Sequence, residues 1–220
     1  MQRKTLSKST RVPNENAGSE PRLRAERSSF SWLWLREGET FSVVTSFDDE
    51  HCLLAAVENQ IGGFFSRTDI QVYTRLGEIP PYNEDVFAQG DPEPVADMKQ
   101  FIGDSDAILI VSPEYNYGVP GVLKNAIDWA SRPSGKCVLN RKPAALMGCS
   151  PGLGGTIRCQ HALRQSFVFT ETHVMSQPEI KIPSAAPLFD AEGKLTDENT
   201  RQHVKKFLDA FTVWIGRFKD

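Results

Sequence analysis

The sequence predicts an α/β domain built on a doubly wound parallel sheet. Three observations carry that expectation. Short apolar runs suited to buried strands alternate with stretches of helical period. One run, Ala107 to Val111 (AILIV), is apolar throughout, as a central strand covered on both faces must be. The length of 220 residues, 40% apolar and 24% charged, is long for one small domain and short for two, which fits one core plus a tail.

The tail is residues 1–29. It holds seven Lys or Arg against three Glu, about +4, so at a net charge of −3 the remaining chain carries about −7. Polar, with Pro13 and Pro21 and no apolar period, it is expected to be disordered. It lacks the apolar core of about 7–15 residues that a secretory signal needs, and its three Glu count against an organelle transit peptide. Folding is expected to begin near Phe30 and to continue as one domain to residue 220.

Within that domain Asp69 to Thr74 reads as a strand, the stretch from Pro80 to Pro94 is turn-rich, and Val95 to Ile102 reads as a helix ending at Gly103-Asp104. After the AILIV strand, Val119, Val122, Leu123, Ala126, Ile127 and Ala130 fall at offsets 0, 3, 4, 7, 8 and 11, which is one apolar stripe of a helix. Ala144 to Met147 is the next buried strand and Thr156 to Phe169 the next helix. Val204, Phe207, Leu208, Phe211, Ile215 and Phe218 mark a C-terminal amphipathic helix, with Thr196 as its cap ahead of Asp197 and Glu198.

Several function classes drop out. The mild negative charge gives no drive toward nucleic acid or anionic membrane, and no apolar run reaches the roughly 18 residues of a membrane span. Cys52, Cys137, Cys149 and Cys159 are scattered without a CxxC pair, so neither a disulfide framework nor a zinc site is indicated, and a reducing, cytoplasmic setting is expected. His51, His161, His173 and His203 lack metal-ligand spacing, so no metal is expected.

Ligands of an open parallel sheet bind beyond the carboxyl ends of its strands. Two buried strands run there into conspicuous loops, Ser112-Pro113-Glu114-Tyr115-Asn116-Tyr117-Gly118 and Cys149-Ser150-Pro151-Gly152-Leu153-Gly154-Gly155, and each loop opens a helix. The first brings two aromatic rings and a constrained backbone; the second brings small residues that let a flat ligand approach main-chain N–H groups. Together they suit a shallow slot for a planar, hydrogen-bonding ring, although the same residues also suit a plain turn and a plain helix start. Gly148-x-Ser150-x-Gly152 matches a nucleophile elbow, with Asp190 and His203 following in hydrolase order. A serine hydrolase is nonetheless disfavoured, because the oxyanion hole needs the N–H of the residue after the serine and that residue is Pro151.

Pro113-Glu114-Tyr115-Asn116 followed by Val119-Pro120-Gly121-Val122-Leu123-Lys124-Asn125-Ala126-Ile127-Asp128-Trp129 resembles the NADPH-dependent FMN reductase family of quinone, chromate and azo reductases. The likeness reaches upstream to Pro81-Tyr82-Asn83-Glu84-Asp85. Downstream it runs through Ser150-x-Gly152-x-Gly154-Gly155, Arg158-x-Gln160, Leu163-Arg164-Gln165, Pro178-Glu179 and Phe189-Asp190, roughly residues 69 to 215. The resemblance implies a flavodoxin-like, three-layer α/β/α fold of strand order 2-1-3-4-5. It also implies an FMN-dependent oxidoreductase passing hydride from NADPH or NADH to a quinone, chromate, azo compound or similar acceptor. The flavin ring would lie against main-chain groups of Pro113, Glu114, Tyr115, Asn116 and Tyr117, with Ser150, Gly152, Gly154 and Gly155 along its other side. No catalytic side chain is then needed, since the flavin carries the chemistry. Lys124, Asn125 and Asp128 read as structural, the last two as anchors for a loop or a subunit contact. A homodimer or homotetramer is implied, with no nucleic-acid or membrane partner.

One part departs from the family pattern, which opens with a phosphate loop of the form G-S-L-R-x-x-S-x-N. Two segments compete for its place: Leu35 to Ser42, which keeps an Arg, a Gly and hydroxyls, and Ser46-Phe47-Asp48-Asp49-Glu50, better spaced ahead of an expected helix from Cys52 to Ile61 but bearing three carboxylates. The basic tail and the missing loop adjoin, which points to one common cause, an N-terminus altered by a change of upstream frame. Weakened FMN binding follows, with a flavin-free binding or oligomerising scaffold as the alternative function.

Overall fold

Ile108–Val111 sits in the middle of a sheet, as its unbroken apolar run requires. The computed structural model describes residues 29–34, 40–47 and 69–219, apart from 74 and 192. The strands are β1 (Ser29–Trp34), β2 (Thr40–Phe47), β3 (Asp69–Tyr73), β4 (Ile108–Val111), β5 (Pro143–Cys149), β6 (His173–Val174) and β7 (Ile180–Ile182). The helices are α1 (Glu84–Phe87), α2 (Glu93–Gly103), α3 (Gly121–Ala130), α4 (Ile157–Val168) and α5 (Glu198–Gly216).

β4 is flanked in parallel by β2, with Val43 opposite Leu109, and by β5, with Leu109 opposite Ala145. β3 lies parallel outside β2, and β7 lies parallel outside the carboxyl half of β5, while β6 pairs with its amino end. The parallel strands therefore run β3-β2-β4-β5-β7, which is the order 2-1-3-4-5 once β1 is set aside. β1 was not foreseen as a strand; it runs antiparallel to β2, from Ser29 opposite Phe47 to Leu33 opposite Val43.

Alternation along β4 divides the interior. Ile108 and Ile110 join Val95, Met98 and Ile102 of α2, Leu123 and Trp129 of α3, and Leu163 and Phe167 of α4 in one core. Leu109 and Val111 join Val204, Phe207, Leu208, Phe211 and Ile215 of α5 in the other. Burying each such side chain stabilises the fold by about 1.5–3 kcal/mol, so the apolar stripes of α3 and α5 decide which face each helix covers.

Several helix boundaries differ from expectation: α2 opens at Glu93, two residues ahead of Val95, and α4 runs from Ile157 to Val168 with Thr156 and Phe169 as its caps. α3 starts at Gly121 and not at Val119, because Pro120 holds extended backbone at the N-cap. α5 is capped by Asp197, whose carboxylate accepts from the Thr200 N–H at 2.7 Å. Thr196 lies one position outside the helix, where its main-chain N–H and its hydroxyl both donate to the Leu188 carbonyl. α5 ends at Gly216, so Phe218 lies past it and stacks on His173 with ring centroids 4.3 Å apart. Residues 1–28 of the expected tail, residues 48–50 and the expected helix from Cys52 to Ile61 lie outside the described residues, while Ser29, counted with the tail, opens β1.

Candidate functional site

β4 and β5 end side by side, and the Ser112 N–H donates to the Met147 carbonyl at 3.0 Å, so the loops that follow start in contact. Gly148 makes this approach possible: a Cβ there would lie 2.2 Å from the Ser112 carbonyl oxygen and 2.6 Å from the Thr156 hydroxyl. Asn125 secures the neighbouring segment. It accepts the Tyr82 N–H at 2.8 Å and donates to the Pro80 carbonyl at 2.9 Å, where Trp129 also donates. The loop-anchoring role expected of Asn125 is its observed one, while Asp128 pairs with Lys124 at 2.6 Å along the same helix.

The first loop turns on Tyr115 to Gly118. Asn116 and Tyr117 have φ of 49° and 64°, and the Tyr115 and Gly118 N–H groups each donate to the other's carbonyl at 3.1 and 2.9 Å. Two successive positive φ angles closed in this way form a type I′ turn. Pro113 is buried beneath it, while Tyr115 is 45% and Tyr117 74% exposed at the mouth.

Glu114 does something that no local pattern announces. Its carboxylate accepts the main-chain N–H groups of Arg158 and Cys159 at 2.8 and 3.1 Å and the Arg158 guanidinium at 2.8 Å. One loop thus caps the helix that begins in the other. Burial pushes the Glu114 carboxyl up, but the guanidinium and the two N–H groups outweigh it and hold its pKa below the usual range. The sign follows: the capping contribution is fully present above the ordinary Glu pKa of about 4.3 and is lost as the pH falls through the lower folded value. Glu114→Gln is therefore expected to destabilise the protein at pH 7 by about 1 kcal/mol, the exposure of Arg158 keeping the figure small. In paired thermal melts from pH 7 to pH 3 the gap to the wild type should close on the acid side; a gap that stays constant would rule the carboxylate out as its source.

The second loop is pinned to the chain leaving β7. The Ser150 N–H donates to the Ile182 carbonyl at 3.0 Å, Ala185 donates to Ser150, and Ser184 to Gly152 at 3.2 Å. Gly155, at φ 55°, passes so close to Lys181 that a Cβ would meet its carbonyl at 3.1 Å. Gln160 holds the same junction from inside, donating to the Thr156 hydroxyl and the Ile180 carbonyl. Leu153 stands 90% exposed at the tip.

Pro113 to Tyr117 and Ser150 to Gly155 thus meet at one edge of the sheet. Among the described residues, the main-chain N–H groups of Asn116, Tyr117, Leu153 and Gly154 have no partner within the protein. Unpaired main-chain donors on an aromatic loop and on a glycine-rich loop suit a planar ring with carbonyl and ring-nitrogen acceptors, as the flavin of FMN is. The side chain of Glu114 is committed to the helix cap, so that residue has main chain to offer a ligand. Cys159 is no nucleophile either, since burial pushes its thiol up to about 11.

The hydrolase arrangement is not assembled. The Ser150 hydroxyl accepts the Gly152 N–H at 3.1 Å, and the Asp190 carboxylate closes its own turn by accepting the Lys194 N–H at 2.7 Å. Cys137, Cys149 and Cys159 are free and buried. Among the described residues no group of His, Cys, Asp or Glu could hold a metal ion, and no helix is long and apolar enough to cross a membrane.

The structure also separates the two candidates for the phosphate loop. Thr40-Phe41-Ser42, the described part of the first segment, form the amino end of β2, at the edge opposite the slot. Ser46 and Phe47 close the carboxyl end of β2, at the slot's edge, and Asp48-Asp49-Glu50 come next in the sequence. Sequence reasoning missed the work of Arg158; its two partners lie 44 and 41 positions away, beyond any periodic signal.

Comparison with known proteins identifies the family. The family model of the NADPH-dependent FMN reductases matches residues 52–187, which begins just past the carboxylates that follow β2. An NAD(P)H-dependent FMN reductase of Pseudomonas aeruginosa is 47% identical over 165 residues, 75% of this chain and 88% of that protein. A quinone reductase of Escherichia coli is 38% identical over 153 residues, 69% of this chain and 81% of that one. Among solved structures, the flavoenzyme NAD(P)H:(acceptor) oxidoreductase FerB of Paracoccus denitrificans superposes with a TM-score of 0.66 at 38% identity, covering 75% of this chain and 88% of its own. With a family model matching residues 52–187 and relatives 38–47% identical over most of their own length, the chain belongs to the NADPH-dependent FMN reductase family.

Proposed function

We propose that the protein is an FMN-dependent NAD(P)H oxidoreductase whose acceptors are quinones, with chromate or azo compounds as further candidates. Bound FMN supplies the centre that takes hydride from the nicotinamide and returns it to the acceptor. Pro113, Glu114, Tyr115, Asn116 and Tyr117 hold one side of the flavin ring through main-chain groups, and Ser150, Gly152, Gly154 and Gly155 line the other. The chain's own work is placement: the Glu114 cap fixes the distance between the walls, and exposed Tyr115, Tyr117 and Leu153 give a flat apolar ring a place to rest at the mouth. The observation that carries the reading is the pair of interlocked loops at the carboxyl edge, in which the N–H groups of Asn116, Tyr117, Leu153 and Gly154 have no partner within the protein.

An assay with added FMN tests it. Titrating FMN into purified protein and following NADPH oxidation with a benzoquinone should give flavin binding and turnover that rises with occupancy. No binding and no turnover would leave a scaffold. We further propose a cytoplasmic homodimer or homotetramer, to be weighed by light scattering, with residues 1–29 as an appendage to the domain 30–220.

A further inference from the structure

We propose that Arg158 is a positioning residue that locks the strained turn carrying Tyr117 and so sets how firmly the flavin ring is held; this rests on the reading that FMN occupies the slot. The guanidinium of Arg158 makes two contacts at once. It bonds the Glu114 carboxylate at 2.8 Å, and its carbon lies 3.9 Å from the centroid of the Tyr117 ring. Tyr117 is a bulky residue at φ 64°, a backbone region that side chains other than Asn, Asp and Gly rarely adopt. Its neighbour Asn116, at φ 49°, suits such a turn; Tyr117 needs an outside hold. The stacked guanidinium supplies it.

Two details direct the role of Arg158 toward Tyr117. Glu114 keeps two main-chain N–H partners without the guanidinium, so its own cap does not depend on Arg158. Room for the guanidinium is built in, since a Cβ on Gly154 would stand 3.1 Å from its Nη1. The side chain is half exposed, yet its charge is already paired with a carboxylate that is only 6% exposed. A paired guanidinium is a poor receptor for a second anion, so Arg158 should not discriminate NADPH from NADH by the extra phosphate.

The experiment compares wild type, Arg158→Ala, Arg158→Lys, Tyr117→Ala and the double variant. Hydrogen exchange on flavin-free protein reads the turn, and quenching of FMN fluorescence reads affinity. Arg158→Ala should speed exchange across residues 115–118 while moving the melting temperature by less than about 2 °C. Arg158→Ala and Tyr117→Ala should each weaken FMN binding about 5–20-fold. The double variant should be no weaker than about twice the poorer single one, because both remove one contact. Arg158→Lys should recover part of the loss, since an ammonium can sit over the ring but cannot stack flat on it.

Wild type that binds FMN beside an Arg158→Ala variant within twofold of it overturns the inference alone. So does unchanged exchange at 115–118, multiplicative losses in the double variant, or a loss confined to KM for NADPH. Wild type that binds no FMN overturns the proposed function together with this inference.

Discussion

Gly148→Ala should lower the melting temperature by about 2–12 °C. The added methyl would lie 2.2 Å from the Ser112 carbonyl oxygen, and 2.6 and 2.9 Å from the Oγ1 and Cγ2 atoms of Thr156. The Ser112 oxygen is backbone on the adjoining strand exit, so it cannot rotate away; β4 and β5 must separate or β5 must twist. Overpacking of this kind costs about 1–3 kcal/mol and occasionally more, and 1 kcal/mol moves a chain of this size by about 2–4 °C. Because the clash sits where both loops leave the sheet, FMN affinity should fall with stability. Calorimetry and an FMN titration on the same preparation check both; a variant that melts within 2 °C of the wild type would show that the strands close with more slack than these distances allow.

Replacing Asp48, Asp49 and Glu50 with Asn, Asn and Gln should tighten FMN binding by about 10–100-fold at low salt. β2 ends at Phe47 on the slot's edge, these three carboxylates come next in the sequence, and the expectation under test is that this stretch stands in for the family's phosphate loop. Each unit-charge pair at about 4 Å costs roughly 1 kcal/mol in water and more in a cleft, so removing several yields the stated range. The gain should shrink as salt shortens the Debye length to about 3 Å at 1 M. Riboflavin, which lacks the phosphate, is the control and should bind both proteins alike. An equal gain for riboflavin and FMN would place the effect in the ring slot and not at the phosphate end.

Much of this architecture is legible in the sequence because it is periodic. AILIV marks the central strand, and the offsets from Val122 to Ala130 and from Val204 to Ile215 mark helices that cover opposite faces. The two loops were legible because each follows a buried strand and opens a helix. The interactions that join them were not. Glu114 reaches an N–H 44 positions along the chain, and Gln160 reaches a carbonyl 20 positions away. Such contacts are set by how the strands stack, which no window of neighbouring residues contains. The cap of α5 is ambiguous locally: Thr196 and Asp197 are both good cap types, and the fold seats Thr196 on the Leu188 carbonyl while the Asp197 carboxylate accepts the Thr200 N–H.

The outer edge of β5 has a consequence for self-association. β6 covers Pro143 and Ala144, β7 covers Met147 to Cys149, and these two strands are only two and three residues long. A visiting chain finds there no long row of free main-chain groups to zip onto, and Lys181 places a charged side chain in the middle of β7. A short edge bearing a charge disfavours fibril-like sheet extension at this border.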